Sequence, residues 1–228
     1  TSFFPLQHNF LRRVSKALEY SHLRGDKRII SYFFWLNPEF VMDVMIKEIS
    51  SNLSYDDFFN PFEAELSNVT SSTDNLDKML HLEKRFFLMD HNLNYTDKMS
   101  MAHGVEVRVP FLDNELHEFS RTIPSNFKVK GLNPKFILKK SLENILPKAI
   151  LYRSKQGFGA PMRDWVTKDL SQEIDSQFSS EEITKNNIFN ADALRALVQK
   201  NKEGSVDASY PIFAFYCMER WLHLNKIK

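Results

Sequence analysis

The sequence predicts a mainly α-helical fold, and three observations predict it. Apolar residues recur at helical spacing along most of the 228 residues. The alternation of apolar and ionic residues that marks a half-buried strand is confined to residues 105–109. Helix starts (Asn37-Pro38, Asp113, Asn190) and helix stops (Gly104, Gly204) punctuate the chain. Composition is that of an ordinary globular protein, 43% hydrophobic and 26% charged, and the expectation is one helical domain over residues 1–228. A net charge of +1 supplies no global field to recruit nucleic acid or an anionic membrane, so any basic site has to be local. The single cysteine, Cys217, excludes an internal disulfide and offers no zinc cluster, which fits a reducing cytoplasm. No apolar run of about 18 residues and no signal-peptide pattern is present, so a cytoplasmic protein without membrane attachment is expected.

Taken in order, Phe10, Leu11, Val14, Ala17 and Leu18 form one face of an amphipathic helix, with Arg12, Arg13, Lys16 and Glu19 outward. Its basic face, continued by Arg24, Lys27 and Arg28, reads as solvated and not as a nucleic-acid surface, since no exposed aromatics interleave it. Residues 29–36 are dense in aromatics and require burial, within this chain or against a neighbour. Asn37 and Pro38 open a helix to about Ile49 with Phe40, Val41, Val44 and Met45 inward. Asn60-Pro61 breaks the next stretch, and the polar run 68–75 is a connection between helices. Asp74 or a neighbour caps a helix to about Asp90, with Leu76, Met79, Leu80, Phe86 and Phe87 on one side. His81 and His91 have no ligand partner at helical spacing, so no metal site is read there. Beyond Trp165, helices start at Ser180 and Asn190, and Pro211 opens a last one whose Phe213, Phe215, Tyr216, Met218, Trp221 and Leu222 read as core.

The chemistry concentrates in residues 90–161. Asp97 begins a short helix that Gly104 stops. Val105, Val107 and Val109 then alternate with Glu106 and Arg108, and the apolar flanks should draw both charges into a partly dry setting, where each needs a fixed partner. On pattern alone a structural ion pair is the favoured reading over a catalytic one. After Pro110, Asp113 caps a helix from Asn114 that should bury Leu116 and Phe119. Asn133 is expected to cap another with Pro134 at its first position, placing Lys135, Lys139 and Lys140 near one side and Ile137, Leu138, Leu142 and Ile145 on the other. Pro147 closes it. Arg153 and Lys155 then open a loop with Gly157, Phe158, Gly159 and Pro161, a composition that suits phosphate or pyrophosphate as well as plain solvent.

The runs DKMSMAHGVEVRVPFLDNEL, GLNPKFILKKSLENILP and R-x-K-x-G-F, with Trp165 beyond, resemble the C-terminal part of the asparagine synthetase family, glutamine-hydrolysing type. The resemblance covers about residues 90–165 in order, spacing and identity. It implies the helical C-terminal part of an adenine nucleotide α-hydrolase-like synthetase domain of the ATP-pyrophosphatase type, with the parallel-sheet nucleotide half absent. It also implies an ATP- and Mg2+-dependent amidation, in which a carboxylate is adenylated with release of pyrophosphate and ammonia derived from glutamine then displaces AMP from the acyl-adenylate. Carried over residue by residue, Lys155 is the catalytic lysine of the loop and Arg153 supports the same anion or braces the loop. Glu106 and Arg108 shape the wall of the site or hold it structurally, and Asp97 matches the acid before the small Ser-Met-Ala segment.

The departures are equally specific. The S-G-G-x-D-S loop that holds phosphates and magnesium in the family does not occur in these residues, nor does the G-x-D-E segment, and Thr1 stands in place of a glutaminase cysteine. The expectation is therefore the last part of a larger synthetase, inactive alone. Its partners would be the N-terminal nucleotide-binding and glutaminase portions, its substrates aspartate and glutamine, and an oligomer is compatible. Two alternatives stay open: a non-catalytic helical binding module, and a relative acting on another acceptor, whether a β-lactam precursor, a sugar or a peptide.

Overall fold

The computed structural model describes residues 18–34, 36–70, 73–154, 160–179, 183 and 187–225. Helices α1 (Gly25–Ile30), α2 (Pro38–Val44), α3 (Lys47–Ser50) and α4 (Asn60–Leu66) come first. Helix α5 (Asn75–Leu82) runs through a π-helical segment, Glu83–Leu93, into α6 (Asn94–Met101). Helices α7 (Asn114–Thr122) and α8 (Ser125–Lys128) lead to strands β1 (Val129–Lys130) and β2 (Asn133–Pro134). The strands pair antiparallel, Val129 opposite Pro134 and Lys130 opposite Asn133. Then follow α9 (Phe136–Ser141), α10 (Lys148–Leu151), α11 (Met162–Asp164), α12 (Ser171–Ser179), α13 (Ala191–Lys202) and α14 (Ser209–Leu224). The chain is predominantly helical, as its periodicity predicts, and among the described residues there is no large parallel sheet.

Within the span expected to be one domain, the residues group into two compact units, Thr1–Glu63 with Phe158–Lys228, and Ala64–Gly157. The first unit has a dense core. Ile174 and Phe178 of α12, Leu194, Leu197 and Val198 of α13, and Ile212, Phe215 and Tyr216 of α14 interlock with Val44, Val166 and Phe189. Phe189 meets Phe215 edge to face at 5.2 Å. A second aromatic group joins Tyr20, Phe34 and Phe59, so the aromatic-rich segment is buried at least in part within its own chain. Helix α2 begins as expected, with the Asn37 side chain accepting from Glu39 N. It stops at Val44 and not near Ile49, because Asn190 N donates to Val44 O and Ile46 N to Ile188 O. That bridge between Met45 and Phe189 takes the backbone groups a longer helix would use. In α13, Asn190 caps by accepting from Ala193 N, and Gly204 lies past its end at φ 72°. Within α14, Phe215, Tyr216 and Leu222 are buried, whereas Met218 and Trp221, read from sequence as core, are exposed. The expected helix before Leu18 and the helix start at Ser180 lie outside the described residues.

The second unit is organised differently. Asp74 caps α5 by accepting from Asp77 N, and Asp113 caps α7 by accepting from Leu116 N. After α6, Gly104 at φ 67° closes a paired stop in which Val105 N donates to Ser100 O and Gly104 N to Met101 O. Residues 105–109 contain no paired strand, contrary to the alternation, because no strand among the described residues offers them its backbone. Nor does Asn133-Pro134 open a helix: both residues belong to β2, and α9 starts only at Phe136. Among the described residues of this unit only Leu66 and Leu82 are buried. Leu116 is 42% and Phe119 63% exposed, so α7 has its expected cap but not its expected burial.

Two outcomes follow from this contrast. Phe178→Ala is expected to cost about 3–5 kcal/mol in urea unfolding, as a large buried ring should, whereas Leu116→Ala stays within about 0.5 kcal/mol. The Tyr216 hydroxyl donates to Glu173 at 2.6 Å, and burial, followed by that carboxylate, pushes its pKa up to about 12. Since folding holds this phenol neutral, its contribution is full below the ordinary tyrosine value near 10 and is lost as pH rises through about 12. Melting temperatures followed over that window should fall less steeply in Tyr216→Phe than in the parent chain.

Candidate anion-binding site

The second unit holds a hollow of about 290 Å³ lined by Lys135, Leu138, Lys139, Leu142, Ile150, Leu151 and Arg153. Its origin is local. The antiparallel pairing of β1 with β2 occupies Asn133 and Pro134, and Lys135 then turns the chain in the left-handed region, φ 58° and ψ 37°. Such a conformation is unfavourable for a side chain with a Cβ by about 1–2 kcal/mol and draws notice where the residue also carries charge. Helix α9 then presents Leu138 and Lys139, its C-cap Leu142 follows one turn after Leu138, and α10 returns Ile150 and Leu151.

Among the described residues, four aliphatic side chains and three cations line the hollow, and no carboxylate does. Among the described residues, the side chain of neither Lys135 nor Arg153 has an ion-pair or hydrogen-bond partner. Lys139 is positioned instead: its ammonium donates to Asn133 Oδ1 at 2.8 Å and sits 5.7 Å from the Tyr152 ring centre. Like charges gathered at one hollow repel one another, and a polyanion converts that repulsion into attraction. The Arg153 guanidinium adds a fork suited to two phosphate oxygens. The nearby acid, Glu143, is engaged: Oε2 receives Lys140 Nζ at 2.7 Å and Oε1 receives the Tyr152 hydroxyl at 2.6 Å. The Lys140 ammonium, with that hydroxyl, holds the Glu143 carboxyl below the usual carboxylate range, and Glu143 in turn raises Tyr152.

Of the residues singled out from sequence, Arg153 lines this hollow. Lys155 and the glycines of its loop lie outside the described residues. Glu106 and Arg108 find each other, Oε1 to Nη2 at 2.9 Å, but at 66% and 83% exposure they are not the dry pair the flanking valines predict. Those valines are themselves exposed, so nothing shields the pair. Asp97 is exposed in the first turn of α6, its carbonyl accepting from Ser100 Oγ. None of these three lines the hollow. Lys135 and Lys139 were visible as a basic helix side, yet their convergence with Arg153 depends on the hairpin and on the return through α10, which no local pattern announces.

No group of three or more His, Cys, Asp or Glu side chains among the described residues is placed to hold a metal ion. The asparagine synthase family profile matches residues 6–223. Asparagine synthetase (glutamine-hydrolyzing) 1 of Bacillus subtilis is 33% identical over 134 residues, 59% of this chain and 21% of that protein. A putative asparagine synthetase (glutamine-hydrolyzing) of Mycobacterium bovis is 36% identical over 89 residues, 39% of this chain and 14% of the relative. The asparagine synthetase (glutamine-hydrolyzing) of Gallus gallus is 38% identical over 80 residues, 34% and 14% of the two chains. The match thus spans about a fifth or less of the length of these relatives. No solved structure is matched. Since the profile takes in nearly the whole sequence, including every residue of the cationic hollow, the chain belongs to the asparagine synthase family.

Proposed function

We propose that this chain is the C-terminal part of the synthetase domain of a glutamine-hydrolysing asparagine synthetase, and that its hollow receives the phosphate end of ATP and the pyrophosphate released from it. The observation that carries the reading is the gathering of Lys135, Lys139 and Arg153 around an aliphatic floor, with no acid in the lining among the described residues. Family membership supports a ligase of the asparagine-synthetase kind. In the reaction we assign, a carboxylate, with aspartate the first candidate, attacks the α-phosphorus of ATP and the bond to pyrophosphate breaks. Ammonia from glutamine then displaces AMP to leave the amide. Negative charge grows on the departing pyrophosphate, and preorganised cations beside an apolar floor contribute most where charge develops. Lys155, two residues beyond Arg153, is assigned the same task nearest the reacting phosphorus. Glu106, Arg108 and Asp97, which do not line the hollow, are assigned to the framework of the wider synthetase site.

The donor set fits phosphate groups and does not fit Mg2+, so the ion that accompanies ATP would be held by residues outside those described. Met99, Val105, Phe111, Leu116 and Phe119 are all exposed in the second unit, and we assign their cover to the nucleotide-binding portion of the same synthetase. On this reading the chain is inactive without that portion. No helix among the described residues is long and apolar enough to cross a membrane, which is compatible with the cytoplasmic setting assigned here.

Titration of the chain with pyrophosphate should show weak, salt-sensitive binding near the millimolar range, about 4 kcal/mol, weakened further by Lys135→Ala and by Arg153→Ala. Binding indifferent to both variants removes the hollow from the reading. In the full-length synthetase, Lys155→Ala is expected to slow carboxylate-dependent release of pyrophosphate by roughly 100-fold. A loss below about threefold takes Lys155 out of the chemistry.

A further inference from the structure

We propose that Tyr152 and Glu143 form a latch that sets where Arg153 stands at the rim of the cationic hollow, which makes both of them positioning residues for the bound anion. The inference rests on reading the hollow as an anion site. Its two walls come from different stretches of chain. Lys135, Leu138, Lys139 and Leu142 belong to residues 133–143, while Ile150, Leu151 and Arg153 belong to residues 148–154. Between them runs a turn in which both Ile145 N and Leu146 N donate to Leu142 O. The helical bonds of α10 end with Tyr152 N donating to Lys148 O, so Arg153 stands just past the last residue the helix fixes.

Tyr152 spans the gap between the walls. Its hydroxyl donates to Glu143 Oε1 at 2.6 Å, and its ring faces the Lys139 ammonium at 5.7 Å. Among the described residues, no other hydrogen bond joins residues 133–143 to residues 148–154. The residue immediately before Arg153 is thus tied to the opposite wall by a charge-assisted bond and by a cation–aromatic contact, and Asn133 orients the cation in turn. The latch also answers an electrostatic difficulty. A carboxylate close to an anion site repels the ligand, yet Glu143 has both oxygens engaged, one by Lys140 and one by Tyr152.

Positioning and plain charge repulsion predict opposite signs on substitution. If Glu143 acted only as a repelling charge, its removal would tighten anion binding, whatever replaced it. If it holds Tyr152, Glu143→Ala weakens binding, whereas Glu143→Gln, which keeps an oxygen for the tyrosine hydroxyl, largely rescues it. Both side chains lie at or near the surface, so neither substitution removes core packing.

The test pairs two measurements on the 228-residue chain and on Tyr152→Phe, Glu143→Ala and Glu143→Gln. One is backbone hydrogen exchange across residues 148–154, followed by mass spectrometry without ligand, and the other is titration with inorganic pyrophosphate. The expected result is exchange about threefold faster or more, and binding about three- to tenfold weaker, in Tyr152→Phe and Glu143→Ala, with Glu143→Gln within about twofold of the parent. Unchanged exchange in the first two variants overturns the latch, whatever happens to binding. Equal tightening by both Glu143 variants overturns it as well, leaving only a repelling charge. Exchange that responds as expected in a chain that binds no pyrophosphate upholds the brace and overturns its role toward an anion, along with the reading of the hollow.

Discussion

The pairing of β1 with β2 is the constraint on which the charged part of the second unit depends. Two residues on each strand suffice to take Asn133 and Pro134 out of the helix their sequence favours. Gly131, at φ 60°, supplies the bend between the strands. The chain then has to change direction within one residue before α9, and Lys135 makes that change. Asn133 is released from capping duty, and its side-chain oxygen accepts the Lys139 ammonium instead. A hairpin at the minimum length for a sheet thereby fixes the orientation of one lysine directly and the placement of another through the backbone.

Burial is distributed unevenly. The first unit closes a core around Phe178, Ile212 and Phe189, with aromatic edges and β-branched side chains filling the spaces between α12, α13 and α14. The second holds its charges and helix ends in order but buries few large side chains among the described residues. Local hydrogen bonding accounts for that order. Capping at Asp74 and Asp113, the Lys128–Asp77 ion pair at 2.5 Å and the Gly104 stop each satisfy backbone or charge without requiring a filled interior. Exposed apolar area on this scale is characteristic of surfaces that meet another body.

The sequence was most legible where the physics is local. Caps at Asn37, Asp74, Asp113 and Asn190 appear where the residues announce them, because a side-chain oxygen two or three positions from an open amide needs nothing from the rest of the fold. Residues 105–109 were misleading for the complementary reason: alternation describes the strand and says nothing of whether a neighbour exists to pair with it. The same gap explains Glu106 and Arg108, whose spacing gives the ion pair, while its dryness would require cover from elsewhere. Helix α2 and the start of α9 were cut short by backbone bonds to distant or reversed chain, at Asn190 and at Val129 respectively. The basic character of residues 135–155 was plain from the letters. That Tyr152 would reach back to Glu143 was not, since it depends on the return of the chain through α10.

The left-handed backbone at Lys135 narrows what can occupy that position. Glycine would relax the conformation and remove the cation, arginine would keep the cation and the strain, and asparagine would ease the strain while contributing no charge. Two demands of different kind therefore meet at a single codon, and few one-step replacements meet both. Glycine or asparagine could take the position with the turn intact and the charge lost, so the turn is the easier of the two demands to keep and the cation is the one held against the conformational preference of the backbone.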